Sequence, residues 1–100
     1  MNMQQMVAQA QKMQRELRKA QAELAQKEFV VAKGGAVTVT VLGSREIKSI
    51  KIEADAFDAD NKEMIEDMIA LAINEAMEKI EAESEEINER ITGQSGGLGF

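Results

Sequence analysis

Apolar residues recur at helical spacing from Ile65 to Ile91, through Ile69, Ala72, Ile73, Ala76, Ile80 and Ile87, with Ser84 as the one polar step. Thr92 and Gly93 end the pattern, and Asp60 with Glu63 reads as a capping box at its start. About 30 helical residues at ~1.5 Å rise make a rod of ~45 Å, longer than a 100-residue globule is wide. Part of this rod must protrude or pack on another chain.

A second seam supports this reading. Met3, Met6, Ala10, Met13, Leu17, Ala20 and Leu24 alternate at spacings of three and four, with Gln, Lys, Arg and Glu between them. That is the pattern of a helix packing on another helix, and it predicts a helix over residues 2–26. At 100° per residue Lys12, Arg15 and Lys19 lie roughly opposite the seam, so the helix carries an apolar stripe and a basic stripe back to back. A merely solvated face would look the same. Met3, Met6 and Met13 suit either a pliable interface or ordinary core packing.

Between the helices the period changes to two. Phe29 to Ala32 is β-branched and short, Gly34-Gly35 is a hairpin turn signal, and Ala36 to Val41 alternates valine with threonine. Gly43-Ser44 marks a second turn, and Ile47 to Ile52 reads as a third strand whose apolar parity shifts between Ile47 and Ile50, the mark of a bulge. Three short strands joined by tight turns form an antiparallel meander with one face for a helix to cover. Residues 53–60 form an acidic connector with Phe57 as its large anchor. The expected fold is α+β: N-terminal helix, three-stranded antiparallel meander, long C-terminal helix, in a single domain over residues 1–92. Residues 93–100, with four glycines, are expected to be a flexible tail.

Composition narrows the chemistry. Histidine, cysteine, tryptophan, tyrosine and proline are absent. The usual proton shuttle, every thiol nucleophile and the preferred soft metal ligands go with them, so no enzymatic activity, cofactor, metal or small-molecule substrate is expected. The acidic run Asp55, Asp58, Asp60, Glu63 fails the calcium-loop pattern, which needs glycine at the sixth position and glutamate at the twelfth. Gly34-Gly35 lies in no phosphate-binding motif. Without cysteine nothing asks for an oxidising compartment, and the longest apolar run, Met68 to Ile73, is far below the ~20 residues of a membrane span. A cytoplasmic protein without a signal peptide or membrane partner is expected.

The net charge of -6 hides a division. Residues 1–52 carry nine Lys or Arg against four Glu, a balance of +5, whereas residues 53–100 carry three basic and fourteen acidic residues, a balance of -11. Binding to a polyanion depends on the field within a Debye length of ~8–10 Å, so a basic face remains possible on an acidic chain. The candidate phosphate contacts are Lys12, Arg15, Arg18 and Lys19 on the first helix, and Lys33, Arg45, Lys48 and Lys51 around the sheet. The glutamates from Glu75 to Glu89 read most simply as the second helix's solvent face, one that would also repel a polyanion.

The whole order resembles the YbaB/EbfC family of small bacterial nucleoid-associated proteins. The matching segments are the Met-rich opening with Gln9-Ala10-Gln11-Lys12-Met13-Gln14, the Gly34-Gly35 turn before Val37-Thr38-Val39, Ile47-Lys48-Ser49-Ile50-Lys51-Ile52, Asn61 to Ile69, and Ala72-Ile73-Asn74-Glu75-Ala76. The resemblance implies a homodimer, intertwined or side by side, whose sheets associate while the helices project as paired arms. It further implies a nucleoid-linked protein that binds duplex DNA with little sequence specificity and alters its shape. The tail Gly96-Gly97-Leu98-Gly99-Phe100 lacks the proline often found in the family. A rival from another class is a protein-binding scaffold or prefoldin-like holdase, whose long helices flank one hairpin where three strands are expected here. Truncation after Thr92 is expected to leave the melting temperature nearly unchanged, because the tail offers only Leu98 and Phe100 for burial against the backbone entropy of its glycines. A drop of many degrees in a thermal melt would reject this.

Overall fold

The computed structural model describes residues 2–93; the expected tail beyond Gly93 lies outside the described residues. Helix α1 spans Met3–Gln26, strands β1, β2 and β3 span Glu28–Lys33, Val37–Leu42 and Ile47–Ile52, and helix α2 spans Lys62–Thr92. The strands form one antiparallel sheet in the order β1-β2-β3. This is the α+β order expected.

The sheet's two faces follow from register. Phe29 and Val31 on β1 stand opposite Val41 and Val39, which in turn stand opposite Ile47 and Ile50 on β3. Directly opposed residues share a face, so these residues with Val37 and Ile52 make one apolar surface. The parity shift resolves as a bulge at Lys48, since Val41 pairs with Ile47 while Thr40 pairs with Ser49. Gly34 and Gly35 both take positive φ, 59° and 63°, as the tight β1–β2 turn requires and side chains resist.

α2 is the spine of the molecule. Its first two thirds lie over β1 and β2, burying Ile65, Ala72, Ala76 and Ile80 against the valines, and its last turns bury Ile87 beside Leu24 of α1. Thirty-one residues at ~1.5 Å make it ~46 Å long, and α1 extends beyond it. The extents are 69 × 22 × 14 Å and the radius of gyration is 19.1 Å, against ~13 Å for a globule of this length. The thin dimension is one helix on one sheet. The long dimension is the arm.

α1 uses only half of its seam within the chain. Leu17, Ala20 and Leu24 pack against the core, whereas Met3, Met6 and Val7 are exposed, Met3 at 79%. β3 is similarly left out from under α2: Ile47 and Ile50 are exposed, the latter at 44%, although they continue the buried valine face. An apolar cleft of about 480 Å³ opens beside this strand, between Ile52, Phe57, Ile65 and Ile69.

Two local expectations need correction. Asp60 does not cap α2, because a 3-10 turn over Ala59–Asn61 runs directly into the helix and leaves Asn61 at the cap, its side chain donating to the Ala56 carbonyl at 3.0 Å and not capping the helix. Asp58 takes the carboxylate role one turn earlier, accepting the Asp60 N–H at 2.9 Å. A true capping box forms instead on α1, where the Asn2 side chain accepts the Gln5 N–H at 2.8 Å and the Gln5 side chain accepts the Asn2 N–H at 3.2 Å. Phe57 is no anchor within its own chain. The 3-10 turn at Ala54–Ala56 directs Ala56 inward and leaves Phe57 73% exposed at the rim of the cleft.

Ile80 is fully buried near the point where the spine passes from sheet to arm. Ile80→Ala is expected to cost about 3 kcal/mol and to lower the thermal midpoint by many degrees. A midpoint within two degrees of the parent would show that the two halves are not joined through this residue.

Candidate nucleic-acid interface

The structure divides the eight candidate cations into two groups. Lys12, Arg15, Arg18 and Lys19 lie on α1, and all four are exposed. Because Leu17, Ala20 and Leu24 turn toward α2, helical spacing places Arg15 and Lys19 on the opposite side of α1, away from α2. Lys12 approaches Glu16 one turn on at 4.0 Å, with both side chains largely in solvent. Arg15, Arg18 and Lys19 form no ion pair among the described residues. Only Glu16 and Glu23 carry negative charge on α1, and its first turn has no acidic residue.

The sheet group is mostly neutralised from within. Lys33, on the inner face opposite Val37, reaches Glu75 of α2 at 2.7 Å in a half-buried pair. The hydrogen bond from Lys33 holds the Glu75 carboxyl below the ordinary range, against the opposing effect of partial desolvation and with further help from the charges of Lys33 and Lys79. Arg45 binds Glu81 at 2.6 Å, and Lys48, turned outward by the bulge, binds Glu28 at 2.7 Å. Lys51 stands opposite Thr38 on the outer face of the sheet, with no ion pair among the described residues. Exposed pairs of this kind contribute little net stability, ~0–1 kcal/mol, but each one supplies its cation with a resident anion. Three of the four α1 cations therefore lack a resident anion among the described residues, whereas in the sheet group only Lys51 does.

Two cations outside the expected set belong to the same region. Lys27, the single residue between α1 and β1, donates to both carboxylate oxygens of Glu83 at 2.7 and 3.0 Å and sits 5.3 Å from the Phe29 ring centre. Arg90 lies in the last turn of α2 and lines a small cleft with Ala20, Glu23 and Leu24 of α1. The signal for Arg90 was its place at a helix C-terminus, where a cation complements the carbonyl end of the dipole. Nothing local in the sequence reveals that this end lies against α1.

No group of carboxylates among the described residues is arranged to hold a metal ion. No described helix is long and apolar enough to cross a membrane.

Comparison with known proteins places the arrangement in context. The chain is 52% identical over 80 residues to a nucleoid-associated protein of Lachnospira eligens, covering 79% of this chain and 69% of the relative. It is 46% identical over 94 residues to one from Clostridium novyi, covering 93% and 82%, and 38% identical over 95 residues to one from Metamycoplasma arthritidis, covering 95% and 99%. The crystal structure of an uncharacterized Helicobacter pylori protein shares the fold, with a TM-score of 0.76 at 17% identity over 91% of this chain and 97% of that one. The model of the YbaB/EbfC DNA-binding family matches residues 1–95, and by that match and these relatives the chain belongs to the YbaB/EbfC DNA-binding family.

Proposed function

We propose that this chain is a nucleoid-associated protein that binds duplex DNA through the back of α1, with little sequence specificity, as a homodimer with its helices projecting as arms. The observation that carries the reading is the set Arg15, Arg18 and Lys19, exposed and free of ion pairs among the described residues, on the helix with the fewest carboxylates. Contacts of this kind bind phosphates and position the duplex without reading bases. The carboxylates of Glu75, Glu81 and Glu83 engage Lys33, Arg45 and Lys27, so their charge is spent within the body and not presented along the back of α1. The nucleoid-associated relatives support the nucleoid, and hence the cytoplasm, as the place of action.

The dimer rests on apolar surface that one chain leaves open. Ile47, Ile50 and Ile52 extend the core face past the reach of α2, beside the cleft under Phe57, on a strand whose outer edge has no partner among the described strands. An exposed edge strand with an apolar face invites pairing with another strand. A second copy meeting β3 with β3 joins the two sheets and leaves both arms projecting. Sedimentation equilibrium at micromolar concentration is expected to give about twice the 11.0 kDa chain mass, recorded by interference because the chain has neither Trp nor Tyr. Ile50→Glu is expected to give a folded monomer. A parent protein that stays monomeric across the range refutes the dimer.

Binding is expected to be electrostatic. Log affinity for a duplex should fall linearly with log salt, at about -0.9 per phosphate contacted. Replacing Arg15 and Lys19 by glutamine should weaken binding to all sequences alike and flatten the slope by roughly one unit per lost contact. Replacing Lys48 and Lys51 by glutamine tests the sheet surface in the same way, and a larger loss there would move the interface to the sheet. If the parent protein binds no duplex even at low salt, the protein-binding scaffold takes precedence, with Met3, Met6 and Val7 as its exposed apolar face.

A further inference from the structure

α1 passes into β1 through one residue, Lys27, whose extended backbone (φ -71°, ψ 140°) turns the chain from helix to strand. The space inside this corner is filled by the β2–β3 turn. The Gly43 N–H donates to the Lys27 carbonyl at 2.9 Å, and the Ser44 N–H donates to the Ala25 carbonyl at 3.1 Å. The turn thus satisfies carbonyls that the end of α1 leaves open. Gly43 is there for closeness of approach: a Cβ on it would overlap the Leu24 carbonyl oxygen and lie 2.6 Å from its carbon, both backbone atoms of the helix.

Arg45, two residues on, adopts φ 77°, the left-handed conformation that favours glycine. Glycine would suit that backbone and could not reach α2, whereas Arg45 closes an ion pair with Glu81 at 2.6 Å. One four-residue turn therefore holds the end of α1 by its backbone and the middle of α2 by a side chain. The helices' own packing constrains α1 less. It rests on Leu17, Ala20 and Leu24 against the end of α2, with long contacts from Gln21 to Asn88 (3.3 Å) and Ser84 (3.4 Å). The preferred crossing angles of packed helices scatter by ~15–20°.

We propose that the β2–β3 turn is the joint that sets the direction of the α1 arm, with Gly43 as the positioning residue and the Arg45–Glu81 pair as its tie to the spine. Leverage makes the direction matter. Lys12 lies fourteen residues from the end of α1 at Gln26, or ~21 Å at the helical rise, so a swing of about 10° moves it by ~4 Å. A charge-assisted contact of ~2.8 Å to a phosphate does not survive that displacement. Arm direction then decides which phosphates the cations meet together; this consequence rests on the duplex-binding reading above, while the joint itself does not.

The absence of cysteine makes the test clean, because the introduced thiols are the only ones to label. Spin labels at Gln4→Cys on the arm and Glu78→Cys on the spine, in labelled protein diluted with unlabelled chain, report the arm's direction by dipolar spectroscopy. Labels at Glu63→Cys and Glu78→Cys report the spine alone. In G43A the arm distance is expected to shift or broaden by about 5 Å, the control distance and helical circular dichroism staying as in the parent. R45G, which suits the turn's backbone but cuts the tie, is expected to broaden the arm distance without shifting the control; it also decides the matter if G43A fails to fold. Arm distributions of folded G43A and R45G that superimpose on the parent overturn the proposal. On DNA, G43A should show a flatter salt slope although Lys12, Arg15, Arg18 and Lys19 are intact. A parent without duplex affinity refutes the duplex reading alone, whereas unchanged arm distances refute the joint alone.

Discussion

One apolar face on α2 is shared between two unlike partners, and the rest of the molecule is arranged around that division. From Ile65 to Ile80 the face is buried on the valines of β1 and β2, and from Ile87 onward it receives Leu24 and its neighbours on α1. Burial at this scale stabilises by roughly 25 cal/mol per Å² of apolar surface, far more than any ion pair in the structure. Continuity of the helix converts two modest contacts into one cooperative body. It also enforces an elongated shape, since a helix of 31 residues cannot fold back between its partners.

Charge is distributed by the same geometry. α2 presents its carboxylates to cations that the sheet and its turns bring to it: Lys33 to Glu75, Arg45 to Glu81, Lys27 to Glu83. These pairs are exposed or half-buried and act more on orientation than on stability. Their consequence is subtraction. Cations near the sheet carry resident partners, whereas Arg15, Arg18 and Lys19 carry none among the described residues. The opposite signs of the two halves of the chain thus become a basic arm, with four cations against two glutamates, on a body that stays net acidic although most of its own cations are paired.

The uncovered surfaces have one origin. α2 is a single helix about 10 Å wide and covers two strands, so the isoleucines of β3 remain outside it although they continue the same face. Met3, Met6 and Val7 remain open because α1 runs past the residues of α2 that meet it. Both are the remainders of a seam that one chain cannot close.

Periodicity alone determined the elements: the three-four spacing from Met3 to Leu24, the Val-Thr alternation of β2 and the long apolar face from Ile65 to Ile91 each specify local geometry, because each is a repeat commensurate with one backbone conformation. The parity break between Ile47 and Ile50 even signalled the bulge, which the register puts at Lys48. Capping was less legible, since the choice between Asp58 and Asp60 depends on whether a 3-10 turn precedes the helix, a difference of a few tens of degrees in backbone angle that composition does not encode. Phe57 misled for a related reason: its size argues for burial, and only the turn at Ala54–Ala56 decides which way it points. What only the tertiary structure decided is which cations find carboxylates and which glycine lies against a helix end. Lys33 and Glu75 are 42 residues apart, Gly43 and Leu24 nearly 20, and such pairings follow from how the sheet, the arm and the spine pack together, which no local pattern carries.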